Sequence, residues 1–120
     1  MPQMEVVLFM EDDSTVPLYE WLDKQPEKVQ VKLMERVERL EEKGYEMRRP
    51  LADILRDKIY ELRVGFNSKH YRILYFFCLD RAVLSHGLLK ERIVPNKEID
   101  LAIKRREKYK KDPKRHTYVE

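Results

Sequence analysis

At 120 residues with an apolar share of 42%, the chain can form one hydrophobic core and is too short for two ordinary domains, so residues 1–120 are read as a single domain. Charged residues make up 39% of it while the formal net charge is only +3, so where the charges fall says more than their sum. The longest apolar run, Ile73 to Leu79, is far short of the roughly 18 to 20 residues of a membrane span, and Met1 to Met4 opens no leader pattern; a cytoplasmic protein is expected.

Val6-Val7-Leu8-Phe9 predicts a first strand closed by a turn at Glu11-Asp12-Asp13. Ser14 or Thr15 is placed to cap a helix, in which Val16, Leu18, Trp21 and Leu22 recur at helical spacing until Gln25-Pro26. Pro26 opens a second helix with Val29, Leu33, Val37 and Leu40 as its apolar stripe, widened by Val31 and Met34 and stopped at Gly44. Residues 45–57 read as a connection. Three strands follow, at Ile59 to Phe66, His70 to Cys78 and Ala82 to Leu89, and Pro95 opens a last helix with Ile99, Ala102 and Ile103 on its apolar face. From Lys104 the chain turns basic, with eight lysines and arginines up to Arg115 against Glu107 and Asp112; this is either a solvated helix end or a contact for RNA phosphates. The order of elements predicts an α+β domain with a small, mainly antiparallel sheet, an N-terminal helical hairpin and a C-terminal helix. The lone Cys78 reads as a buried reduced thiol.

No Gly-rich phosphate loop, His-Glu-x-x-His metal site or nucleophile elbow occurs, so any chemistry falls to arginine, lysine, histidine and tyrosine. A tight turn at Asn67-Ser68 makes paired residue numbers sum to 135. Tyr60, Leu62 and Val64 then face Tyr75, Ile73 and Tyr71 on a face that packs against the helices. The other face sets Arg63 across from Arg72, Glu61 beside Leu74 and Gly65 beside His70. Like charges so placed repel, which leaves two readings: Glu61 neutralises one arginine at a solvated surface, or the pair clamps a phosphate. Tyr60, Tyr71 and Tyr75 are candidates for stacking bases, although most of these rings fall on the core side.

These residues resemble a known family. The run Leu55 to Arg63, the strand Tyr71-Arg72-Ile73-Leu74-Tyr75-Phe76, the run His86-Gly87-Leu88-Leu89-Lys90, and Pro95 with Glu98, Ile99 and Ala102 together resemble the phage-derived, RelE-like branch of the RelE/HigB toxins. The likeness in element order covers nearly the whole chain, and its specific motifs lie between residues 55 and 106. It implies a microbial-RNase-like fold whose open sheet face binds messenger RNA on the ribosome. It also implies cleavage by attack of a ribose 2′-hydroxyl on the adjacent phosphate, without metal or cofactor, and a separately encoded antitoxin of helix-turn-helix type as partner. Such cleavage needs a proton acceptor, cations at the phosphoryl oxygens and a donor for the leaving oxygen. By resemblance, Arg72 is the transition-state clamp, with Arg63 and Lys90 as further catalytic cations.

His86 and His70 are candidate proton carriers, since imidazole titrates near neutrality. His70, Arg92, Lys104 and Arg105 are the expected RNA contacts. A three-residue turn at Leu79-Asp80-Arg81 places His86 and Lys90 on the Arg72 face; a two-residue turn at Asp80-Arg81 sends both into the core. The chain departs from the family pattern at Ile59 and Glu61, where relatives carry lysines, near Ile99, where some carry a catalytic tyrosine, and at Glu91 after Lys90. The general acid and base are therefore left open. Two other functions are compatible with the sequence: gyrase inhibition of the ParE-like kind, and a non-catalytic nucleic-acid-binding regulator.

Overall fold

In the computed structural model, which describes residues 3–118, the β-branched run near the start forms strand β1 (Glu5–Leu8). Met1 and Pro2 of the opening tetrapeptide lie outside the described residues. Helix α1 (Pro17–Leu22) begins on its proline and has no side-chain cap: the Thr15 amide and hydroxyl both donate to the Asp13 carboxylate, at 3.0 and 2.8 Å, and Ser14 takes a φ of 72°. The expected cap by Ser14 or Thr15 is thus replaced by a local turn. Helix α2 (Glu27–Lys43) starts after Pro26 and ends at Gly44, where a φ of 54° suits a residue without a Cβ. It buries Val29, Leu33, Val37 and Leu40, but Val31 and Met34 are exposed. They stand two and five residues from Val29, and at about 100° per residue both point away from the buried stripe.

Four further strands, β2 (Ala52–Ile54), β3 (Tyr60–Phe66), β4 (Lys69–Cys78) and β5 (Arg81–Lys90), and helix α3 (Asn96–Lys111) complete the chain. The five-stranded sheet has the order β1-β5-β4-β3-β2, with β1 parallel to β5 and the other pairs antiparallel. This is the α+β architecture expected. Strand β2 was hidden in the connection because three residues with a central Asp53 carry no usable alternation. The hairpin turns joining β2 to β3, β3 to β4 and β4 to β5 each carry two adjacent residues with φ between 51° and 64°: Asp57-Lys58, Asn67-Ser68 and Leu79-Asp80. Tight hairpins of type I′ require such pairs because their twist matches that of the strands.

The sheet has a helix-covered core on each face. Leu18 and Leu22 of α1 and Leu33 and Leu40 of α2 pack with Leu62, Ile73, Tyr75 and Leu84. On the opposite face Ile99, Ala102 and Tyr109 of α3 pack with Ile59, Leu74, Phe76 and Val83. After α3 the chain returns to β1, where Tyr118 donates its amide to the Leu8 carbonyl and Thr117 bridges Phe9, which covers the strand's outer edge. Cys78 is free and half-buried rather than enclosed. No helix among the described residues is long and apolar enough to cross a membrane.

The β4–β5 hairpin uses neither of the turns considered. It turns at Leu79-Asp80, pairing Cys78 with Arg81 and Tyr75 with Leu84, and then slips by one residue so that Leu74 pairs with His86. Ser85 is the extra residue of a β-bulge. Beyond it His86, Leu88 and Lys90 lie on the Arg72 face, while Gly87 pairs with Ile73 on the α1 side. Trp21 of α1 lies directly on that glycine: a Cβ there would meet the indole Cε3 at 2.1 Å. Gly87→Ala is therefore expected to displace α1 and to cost about 1–3 kcal/mol as overpacking, read as a lower denaturation midpoint. A parental midpoint would show that the indole does not depend on this seat.

Candidate functional site

The centre of the α3-side face is built on the pairing of β3 with β4, which sets Arg63 opposite Arg72 and Glu61 opposite Leu74, as the turn at Asn67-Ser68 predicts. Glu61 lies between the two guanidinium groups: its Oε1 is 3.1 Å from Arg72 Nε and its Oε2 is 3.7 Å from Arg63 Nε. The closer contact is not aligned as a hydrogen bond, so both atoms lack a directional partner and the attraction is mainly Coulombic. Arg72 also donates Nη1 to the Tyr71 carbonyl at 3.0 Å. Burial pushes its guanidinium below the ordinary arginine value; the Glu61 charge opposes this and the Arg63 charge reinforces it.

Glu61 does neutralise one of the two arginines, but the pair it makes with Arg72 is buried and does not lie on a solvated surface. The Arg72 side chain is 3% exposed and the Arg63 side chain 28%, so only Arg63 offers its fork to a ligand. Two carboxylates, Glu61 and Asp53, face three guanidinium groups, Arg49, Arg63 and Arg72, so one positive charge is left over and reaches solvent on the side of Arg63 and Arg49. Around it the exposed His70 pairs with Gly65 on one side and with the half-buried Lys90 on the other. A Cβ at Gly65 would meet nothing nearer than the Lys69 carbonyl at 3.9 Å, so the strand backbone is open there. Arg92 is exposed in the loop after β5. Across β3, Asp53 faces Glu61 but is engaged by Arg49 at 2.8 Å.

His86 shares this face but lies buried under α3. Its Nε2 is 2.9 Å from Glu98 Oε1 and its Nδ1 is 2.7 Å from Ser85 Oγ, which also accepts from Arg105 Nη1 at 3.3 Å. The neutral imidazole with hydrogen on Nε2 satisfies every partner, donating to the carboxylate and accepting from the hydroxyl. Burial and the Arg105 charge push its pKa down, against the support of Glu98. Acid, base and hydroxyl are in sequence here, yet Ser85 is fully buried, so the chain pins α3 to β5 instead of meeting a substrate.

Arg105, expected at an RNA surface, is buried and donates Nε to Glu11 at 2.9 Å. Burial raises the Glu11 carboxyl, but the hydrogen bonds from Arg105 and Lys108 outweigh it and hold the pKa below the usual carboxylate value. Lys108 and Arg115 also pair with Asp12, so the acidic turn neutralises much of the basic run, whereas Lys104 stays exposed. The periodicity carried a signal for Arg105: with Ile99, Ala102 and Tyr109 it continues the buried face of α3. Of the tyrosines considered for stacking, Tyr71 and Tyr75 are buried and Tyr60 is half-buried. Among the described residues, no group of three or more His, Cys, Asp or Glu is placed to hold a metal ion.

Two outcomes follow from this packing. Arg72→Ala strands the buried Glu61 carboxylate and is expected to cost about 3–5 kcal/mol, while the double replacement Glu61→Leu with Arg72→Leu should recover most of that loss; chemical denaturation of the set checks both. Because the folded His86 titrates below the ordinary imidazole value of about 6.5, the unfolded chain takes up this proton first on acidification. Its stability contribution is complete above that value and lost as pH falls through it toward the folded pKa. His86→Gln should flatten the thermal midpoint between pH 7.5 and pH 5.5, and an unchanged slope would remove the buried neutral imidazole from the account.

A family model described as Phage derived protein Gp49-like (DUF891) matches residues 20–107, from within α1 to within α3. No curated protein matches the chain. The matched segment holds the whole β2–β5 meander with Glu61, Arg63, Arg72 and Lys90, and it spans well over half of the sequence. The chain belongs to the phage-derived Gp49-like family, a RelE-like family of toxin-type modules.

Proposed function

We propose that this protein is the toxin of a toxin–antitoxin pair and acts as a metal-independent, ribosome-dependent endoribonuclease on messenger RNA. The observation that carries the reading is the surplus positive charge at Arg63, beside His70 and Lys90, on a sheet face left open at Gly65. A glycine inside a strand lets another backbone approach closely, here a ribose-phosphate chain. The Arg63 fork is suited to two phosphoryl oxygens, and Lys90 adds a second cation. The His70 imidazole is the exposed group suited to taking the 2′-hydroxyl proton as that oxygen attacks phosphorus; the bond from phosphorus to the 5′-oxygen breaks, and the leaving oxygen takes its proton from water. Arg72 does not touch the substrate in this scheme; it fixes Glu61, and Glu61 holds Arg63, so it is a positioning residue. The expected partner is a separately encoded antitoxin of helix-turn-helix type, and the expected place of action is the cytoplasm.

Induction without the antitoxin is expected to arrest growth and to leave cut ends in translated messages, with only weak cleavage of free RNA, since positioning by the ribosome can contribute roughly 7 to 11 kcal/mol. Arg63→Ala should lower cleavage by about 10²- to 10³-fold, the scale of one lost transition-state donor. Gly65→Val should block the open backbone while leaving the thermal midpoint at or above the parental value. Normal growth with abundant soluble protein would defeat the proposal. DNA breaks with intact messages would instead favour the ParE-like gyrase reading, and neither lesion would favour a non-catalytic regulator.

A further inference from the structure

A second cationic hollow lies at the opposite end of β3, five residues from Gly65 at Tyr60, roughly 17 Å along the strand. Its cavity of about 430 Å³ is lined by Asp57 and Lys58 of the β2–β3 turn, Tyr60, Phe77 of β4, and Arg106 and Lys110 of α3. That volume falls in the range of small-ligand pockets, roughly 300–1,000 Å³. The two rings meet edge to face, 5.1 Å between centroids and 70° between planes, and both side chains are only half-buried.

The cations are poorly balanced. Lys58 has no hydrogen bond or ion pair among the described residues, and Lys110 reaches Glu107 only at 3.9 Å. The Asp57 carboxylate is taken by Arg56 at 2.8 Å. Arg106 donates Nη1 to the Asp57 carbonyl at 2.6 Å, and its buried Nε has no partner among the described residues. Like charges at i and i+4 on a helix, as at Arg106 and Lys110, are unfavourable unless something anionic lies between them. Anion donors beside an aromatic edge match a phosphate joined to a flat ring.

We infer that this hollow is a nucleotide subsite, in which a base of single-stranded RNA stacks on Phe77, beside the Tyr60 ring, while its flanking phosphates are held by Lys58, Arg106 and Lys110. The nucleotide chemistry comes from the hollow itself; that the nucleotide belongs to RNA rests on the function proposed above. A strand cut at Arg63 would be gripped a second time here, away from the reacting phosphate.

The test is fluorescence anisotropy of a labelled single-stranded RNA octamer with purified protein across 50 to 200 mM salt, with thermal midpoints recorded for each variant. Lys58→Ala with Lys110→Ala should weaken binding about tenfold and reduce the slope of log Kd against log salt by about 1.4, two phosphate contacts at about 0.7 each. Phe77→Leu should weaken binding by roughly five- to tenfold with the slope unchanged, because stacking is lost and no phosphate contact is. Parental affinity in the lysine variant overturns the site, and parental affinity in Phe77→Leu reduces it to a charged patch and overturns the base. Adenosine monophosphate binding as tightly as the octamer would make a free nucleotide the ligand and overturn the RNA assignment. The measurement needs no ribosome: a failed subsite with growth arrest intact overturns the subsite alone, and a sound subsite without growth arrest overturns the toxin reading alone.

Discussion

The Glu61 carboxylate stands in the middle of a sheet, out of water, and is kept there by the guanidinium group of Arg72 at 3.1 Å. An isolated charge in that position would cost several kcal/mol, and only an opposite charge at this range offsets it. The consequences run outward from the pair. Helix α3 covers this face at Leu74, Phe76 and Val83 and takes in His86 as well, while Arg63 and His70 keep their access to solvent. Arg63 is drawn to the same carboxylate but not buried by it, and so becomes the one half-open cation of a locked trio. The buried ion pair and the exposed site are thus two ends of one arrangement.

The covered half of that face is secured differently, by a run of groups from Glu98 through His86, Ser85 and Arg105 to Glu11. Apart from the contact between the neighbours Ser85 and His86, each link joins elements distant in the chain: α3 to β5, and α3 to the turn after β1. Such a run is satisfied only when α3, β5 and that turn are all in place, which favours one docking of the helix over its neighbours. It also consumes charge that the sequence displays as a basic tail. On α3, the surface basicity is what Glu11 and Asp12 leave over, chiefly Lys104, Arg106 and Lys110.

The β3–β4 register was legible because a tight turn at Asn67-Ser68 sets Tyr60, Leu62 and Val64 against Tyr75, Ile73 and Tyr71 on one face. The helices were legible from their 3.6-residue stripes, and the meander from its β-branched and aromatic runs. Strand β2 was not, because an edge strand of three residues has too few positions to show a period. The burial of Arg72 was not legible either: Glu61 is a diagonal neighbour, and whether a diagonal carboxylate points in or out is decided by what the helices leave uncovered. Arg105 lay within reach of the argument, since the spacing from Ile99 through Ala102 to Tyr109 passes through it, but its neighbours are lysines and composition outweighed period.

The side of the sheet on which His86, Leu88 and Lys90 emerge is set by nothing more than the one residue that β5 carries in excess of β4 at Ser85. In an extended chain orientation is a matter of odd and even, so the bulge acts as a parity bit for everything downstream of it. Loss of the Ser85 codon would leave Leu84 on Tyr75 and His86 on Leu74, so everything downstream would keep its side, whereas drawing Ser85 into the ladder would turn Lys90 toward the α1 side and move Gly87 from under Trp21. The face is thus insensitive to losing that residue and sensitive to how it is held: a straightened bulge, with no residue gained or lost, turns over the whole downstream half of β5.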